Sequence, residues 1–130
     1  MGLQFTASAL IPAEPCVVYA AWLSSETHEA MTGAAATCSA EAGGRFHAWD
    51  GYIHGHNLEL QENKRITQSW RTQDFSPDEP DSRVVITLEA DGAGTRVTIV
   101  HSDLPDHGMR YLQGWADFYF SPMTEHFTQS

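Results

Sequence analysis

The chain has 130 residues, enough for one domain with a substantial core, and carries 17 acidic against 7 basic side chains for a formal net charge of −10. That balance argues against binding nucleic acid or an anionic membrane through a broad basic surface. No apolar run approaches the ~18–20 residues needed to cross a bilayer, and Met1–Leu10 alternates like a strand without the basic start of a signal peptide, so a cytoplasmic protein is expected.

Leu3–Ile11 reads as a first strand, with Leu3, Phe5, Ala7 and Ala9 on one side and Gln4, Thr6 and Ser8 on the other. Pro12 and Pro15 close it and suit a helix start. Val17, Val18, Ala21 and Trp22 recur at helical spacing, which predicts a short helix over Pro15–Leu23. Ser24 and Ser25 are caps for a second helix over Glu26–Met31, ended near Gly33. Ala36–Glu41 then reads as a small-residue strand running into Gly43-Gly44. The two cysteines fall in the first helix (Cys16) and in this strand (Cys38). Without a CxxC or a histidine at zinc spacing, they are expected to be free, largely buried thiols.

Gly43–Arg71 is the most informative stretch. One strand ends at Asp50-Gly51, a hairpin signal between two alternating runs. The next, Tyr52–Gln61, closes at Glu62-Asn63, and a third covers Lys64–Thr72. An acidic loop follows, with Asp74, Asp78, Glu79 and Asp81 among Pro77 and Pro80. It reads first as a solvated surface; an acidic docking patch for a basic partner is the sharper alternative. Arg83–Ala90 carries Val84, Ile86 and Leu88 in phase, and Thr95–Ser102 carries Val97, Ile99 and His101, with Asp91-Gly92-Ala93-Gly94 turning between them. After the break at Asp103-Leu104-Pro105-Asp106 comes the longest helical pattern, His107–Phe127. Leu112, Trp115, Ala116, Tyr119, Met123 and Phe127 lie on one face, and Pro122 is expected to kink or split it.

About seven antiparallel strands must bury one face, and the C-terminal helix is the large element available to cover it. The pattern predicts an α+β domain over residues 1–130, a curved sheet gripping one helix with room for a pocket between them. The order and the residues resemble the START-like (SRPBCC) superfamily with its helix-grip fold, most closely the branch named for the C-terminal domain of the activator of heat-shock protein 90 ATPase. The likeness rests on Met31-Thr32-Gly33, Gly43-Gly44-Arg45-Phe46, Trp49-Asp50-Gly51-Tyr52-Ile53, Lys64-Arg65-Ile66 through Ser69-Trp70-Arg71, Gly94-Thr95-Arg96, His101-Ser102-Asp103-Leu104-Pro105 and Gly114-Trp115. It implies the fold over nearly the whole chain but not one activity, because the superfamily includes lipid carriers, hormone receptors, cyclases and stress proteins. The eukaryotic activators also carry an N-terminal domain that supplies much of the chaperone contact, whereas this chain begins at its first strand.

Strand phase then nominates site residues. Ile66, Gln68 and Trp70 form the more apolar side of their strand. Leu58 and Leu60 mark the inner face of Tyr52–Gln61, and counting by two places His54 and His56 beside them; a bulge would reverse this. With His101, three imidazoles are expected to point inward. They could hold a metal or move protons, but no inward carboxylate completes either set, so polar pocket-liners are the preferred reading and no metal or cofactor is expected. No serine sits in a nucleophile elbow, and Gly92-Ala93-Gly94 is a turn, not a phosphate loop. His28, His107 and His126 are assigned to surface positions at helix ends, and His47 to the outer face. Trp70, Trp115 and Tyr119 offer apolar walls with polar tips, suited to a small amphipathic ligand; ordinary core packing is the competing account. The expectation is a ligand site built from Trp70, Trp115 and Tyr119 with Gln68, His54, His56 and His101. Regulation of a chaperone ATPase through a protein interface is the second reading, and acid–base catalysis of the cyclase or hydrolase kind is the third. Both monomer and homodimer are compatible with the sequence.

Overall fold

Six strands make one antiparallel sheet: β1 (Leu3–Ile11), β2 (Arg45–Ala48), β3 (Ile53–Gln61), β4 (Arg65–Thr72), β5 (Ser82–Asp91) and β6 (Gly94–Leu104). Their spatial order is β1-β6-β5-β4-β3-β2, so the N-terminal strand closes against the last one. The architecture comes from a computed structural model, which describes residues 2–128. Helices α1 (Pro15–Leu23) and α2 (Ser25–Thr32) lie between β1 and β2 in the chain. Pro15 opens α1, the Ser24 hydroxyl accepts the Thr27 N–H at 3.4 Å to cap α2, and Gly33 ends α2 at φ 82°.

Alternation decides which face is covered. Val84, Ile86 and Leu88 on β5 and Val97, Ile99 and His101 on β6 are all buried, and Ile86 lies directly opposite Ile99. Ile66, Gln68 and Trp70 do the same on β4. The C-terminal segments α3 (Arg110–Trp115), a π-helical turn (Ala116–Phe120) and α4 (Ser121–Thr128) complete the grip, with α3 and α4 against β1 and α1 against β5 and β6.

The helix break has a local cause. Pro122 has no N–H to give, and its ring would strike the Phe118 carbonyl four residues earlier. The ladder slips just before it, so that the Ser121 N–H bonds the Ala116 carbonyl five residues back. The buried series is then Tyr111, Trp115, Tyr119, Met123 and Phe127, while Leu112, expected on the inner face, is 38% exposed.

Other expectations are corrected. Ala36–Glu41 is not a seventh strand; only Thr37 bridges to His47. Its carbonyls are taken by a side chain instead: Asn57 Nδ2 donates to Ser39 O at 2.8 Å and to Glu41 O at 3.0 Å. Cys16 is exposed rather than buried. His28 is buried, not superficial. On β3 the phase reverses at Leu58: Asn57 and Glu59 face consecutive residues of β4, Gln68 and Thr67, which leaves Leu58 as the extra residue of a bulge, 50% exposed. Ile53, Gly55 and Asn57 therefore face inward, and His54 and His56 are on the outer side. Position 55 has room for glycine alone, since a Cβ there would lie 1.9 Å from Ser69 O.

Candidate ligand cavity between sheet and helix

A cavity of about 450 Å³ lies between the β2–β3 hairpin, β4 and the C-terminal helical segments. The hairpin contributes Trp49, Tyr52 and Ile53, and β4 contributes Trp70. Arg110, Tyr111, Gly114, Trp115, Phe118 and Tyr119 line it from α3 and the π turn. Seven of these ten residues are aromatic, and the lining contains no carboxylate, amide or imidazole.

The hairpin that presents Trp49 is tighter than a generic turn. Trp49, Asp50 and Gly51 are successively left-handed at φ 53°, 60° and 90°, an unfavourable conformation for a bulky side chain. The Asp50 carboxylate holds the turn by accepting the Ala35 N–H at 3.0 Å. Trp49 meets Phe118 edge-on at 5.3 Å, and its indole N–H is buried without an acceptor. On the opposite side Gly114 leaves space: a Cβ there would have only Phe118 Cδ2 near it, at 3.8 Å.

Most other polar tips of the wall are engaged in bonds of their own. Trp115 Nε1–H can only donate, and it reaches His101 Nδ1 at 3.0 Å. That fixes the neutral tautomer: His101 Nε2–H donates to Ser82 Oγ at 2.8 Å, and Ser82 donates onward to Trp70 O at 2.7 Å. Burial pushes the His101 pKa down to about 3. The same logic applies to His28, whose Nδ1–H donates to Trp22 O at 2.9 Å, leaving Nε2 to accept the Tyr119 hydroxyl at 2.9 Å. Burial lowers the His28 pKa, against the Trp22 hydrogen bond, and raises that of Tyr119. Tyr111 shares a 2.7 Å hydrogen bond with Thr72. Tyr52 donates to the Asp74 carboxylate, and its own pKa is raised to about 12 by burial and then by that carboxylate. Arg110, 57% exposed, approaches the same carboxylate at 3.6 Å.

Of the seven residues nominated from the sequence, Trp70, Trp115 and Tyr119 line the cavity. The other four residues do not line it. His101 lies behind Trp70, ring centroids 4.6 Å apart, committed at both nitrogens. Gln68 donates to Asn57 Oδ1 at 2.9 Å and so braces the loop before β2. His54 faces His47 across the strand pair, 6.3 Å between rings, on the outer side; burial, then Arg71 and His47, lower its pKa. His56 is opposite Arg45 on that side. The three histidines do not converge, and among the described residues no group of three potential metal ligands forms. Sequence reasoning missed Trp49, Tyr52, Arg110, Tyr111, Gly114 and Phe118. An accessible clue was Trp49 beside Asp50-Gly51, and another was a glycine within a helical pattern.

A second, polar cleft of about 520 Å³ carries Asp78, Glu79, Asp81, Asp103 and Asp106. His107 at 3.1 Å from Glu79 and Arg71 at 2.8 Å from Asp81 tether its loop, and the Glu79 pKa is lowered by its hydrogen bonds to Ser76 and His107.

A curved six-stranded sheet closed over a broken C-terminal helix, with a ring-lined cavity between them, defines a helix-grip domain. Among the described residues no helix is long and apolar enough to cross a membrane. The chain belongs to the family described as activator of Hsp90 ATPase homolog 1-like protein, which matches residues 12–128. It is 28% identical over 114 residues to the human activator of 90 kDa heat shock protein ATPase homolog 1, covering 87% of this chain and 33% of that one. The chain therefore spans about a third of the length of that relative. Among solved structures, an HSP90 activator from Plasmodium falciparum superposes with TM-score 0.81 at 19% identity, over 92% of this chain and 91% of that one. An Aha1 dimer from Colwellia psychrerythraea superposes with TM-score 0.76 at 17% identity, over 92% of each chain. At these identities the structural likeness speaks to fold alone.

Proposed function

We propose that this protein binds a small, mostly apolar molecule in the cavity between its sheet and C-terminal helix. The observation that carries the reading is the unfilled volume itself. About 450 Å³ stays open to a guest among seven aromatic side chains, with a helix glycine on the wall, and the rings left uncovered at its mouth, Phe118 at 54% exposure, gain by being removed from water. A cavity of this size and apolar character is typical of small-molecule sites. Native mass spectrometry of the protein purified from its own host, followed by denaturation and identification of what is released, tests the proposal. A stoichiometric small molecule supports it. A clean apo mass together with no binding of an apolar fluorescent probe removes it.

The family relationship supports a second reading, a protein-interaction module acting on a chaperone ATPase. The five-carboxylate cleft offers such a module a surface for a basic partner. Stimulation of a cognate chaperone's ATPase that fades at high salt is its expected signature, and no effect at saturating protein counts against it. Catalysis through three inner histidines has no comparable support, because His54 and His56 lie outside and His101 has no free nitrogen.

A further inference from the structure

We propose that the cavity's ligand is a singly acidic amphiphile, with an apolar, ring-sized body between sheet and helix and a carboxylate-like head at Arg110. The inference rests on the cavity reading above and adds the chemical class of the occupant.

The interior dictates the body. Tyr119, Tyr111 and Trp115 turn their polar atoms to His28, Thr72 and His101, so what they show a guest is chiefly ring and edge. A polar group pushed in among them would lose its water without a ready replacement bond. The rim dictates the head. Arg110 is the one charged residue on the lining, and it is positive in a chain whose net charge is −10. Its ion pair with Asp74 is long, 3.6 Å, and Asp74 is already taken by the Tyr52 hydroxyl. The guanidinium thus has donors to spare at the mouth of an apolar hole, the geometry in which a planar carboxylate is recognised well. The ring faces could attract a cation as well, but the one formal charge on the lining is positive, so a cationic guest meets repulsion from Arg110 at the mouth where an anionic head is drawn in.

Asp74 sets the limit on this site. It competes with an incoming anion for Arg110 and repels it, so its charge tunes affinity downward. Removing that charge while keeping an acceptor for Tyr52 should strengthen anion binding, whereas removing the Arg110 charge should weaken it. The two changes act in opposite directions on an anionic ligand, with reversed signs on a cationic one and with little effect on a neutral one.

The test uses two fluorescent probes that differ by one acidic group, 1-anilinonaphthalene-8-sulfonate and its uncharged parent N-phenyl-1-naphthylamine. Both are titrated at low ionic strength into the whole protein and its Arg110→Gln and Asp74→Asn forms. Arg110→Gln is expected to weaken the sulfonate about three- to fivefold, as for an ion pair open to water, and to leave the neutral probe within about twofold. Asp74→Asn is expected to tighten the sulfonate several-fold. If the neutral probe binds but the sulfonate is indifferent to both substitutions, the acidic-head proposal fails while the cavity reading stands. If neither probe binds, both fall together.

Discussion

Gly114 offers the most direct test of whether the cavity is kept open at a cost. It lies inside α3, where glycine is about 1 kcal/mol less favourable than alanine because its backbone loses more freedom on folding. Nothing steric requires it: the nearest neighbour to an added Cβ is Phe118 Cδ2 at 3.8 Å, ordinary van der Waals contact. Gly114→Ala should therefore stabilise the protein by roughly 0.5–1 kcal/mol, which for a chain of this size is a rise in Tm of about 2–4 °C. Gly114→Leu extends the change into the cavity, where burying the larger side chain contributes about 1.5–3 kcal/mol if the space is there. Its volume is then denied to a guest. The expected pair of results in urea unfolding and in titration with N-phenyl-1-naphthylamine is higher stability with binding weakened at least tenfold, the usual opposition of stability and function at a site. A destabilised Gly114→Ala protein would show that the space is not free. A more stable Gly114→Leu protein that binds the probe as before would show that the probe sits elsewhere, and the argument from the glycine would be refuted.

Three further outcomes follow from the hydrogen-bond pattern. The His101 pKa is held at about 3 by burial, below the unfolded value of about 6.5, so the unfolded chain takes up the proton first as pH falls. The stability it contributes is intact above about pH 6.5 and is lost toward pH 3, by up to about 1.4 kcal/mol per pH unit, and His28, shifted in the same direction, adds to the slope. His101→Gln should be less stable at pH 7 but shallower in this window, as read by urea midpoints from pH 4 to 7.5; an unchanged slope would contradict the assignment. Asn57→Ala strips the donors from Ser39 O and Glu41 O and the acceptor from Gln68, and should cost about 2–4 kcal/mol, with hydrogen exchange rising first in the 39–44 loop. Ser82→Ala leaves the His101 N–H and the Trp70 carbonyl without their shared hydroxyl; a loss of about 1–3 kcal/mol is expected, and an unchanged urea midpoint would contradict the relay.

Much of the fold was legible because its signals are local and redundant. The alternation of Val84, Ile86 and Leu88 against Val97, Ile99 and His101 survives intact in the sheet, and Pro15, Ser24 and Gly33 mark helix ends by their own backbone chemistry. The resemblance in turn carried the helix-grip architecture. Errors arose where a non-local partner overrode a local pattern. Ala36–Glu41 has strand-like composition, but the Asn57 side chain, some 16 to 18 residues away, claims its carbonyls. Nothing in the segment itself announces that. His28 looks superficial at a helix start until Trp22 and Tyr119 close on its two nitrogens.

The site shows the same division more sharply, and Leu58 is the residue that decides it. With Leu58 and Leu60 taken as successive inner positions, parity carries His54 and His56 into the interior beside His101. The bulge breaks that parity: Leu60 still packs on the core while Leu58 points out, and every residue upstream changes face. Burial agrees with the reversed phase: Ile53, Gly55 and Asn57 are buried, while His54 and His56 between them are only partly so. Two consequences follow from one inserted residue. The histidines expected as polar pocket-liners are turned to the outer face, and the start of β3 gives the interior Ile53 in their place. The hairpin beyond then delivers Trp49 and Tyr52 to the rim. The site expected to join aromatic walls with imidazole and amide contacts is instead lined by seven aromatic side chains with Arg110 as its single charge, which leaves the acid–base reading without its residues.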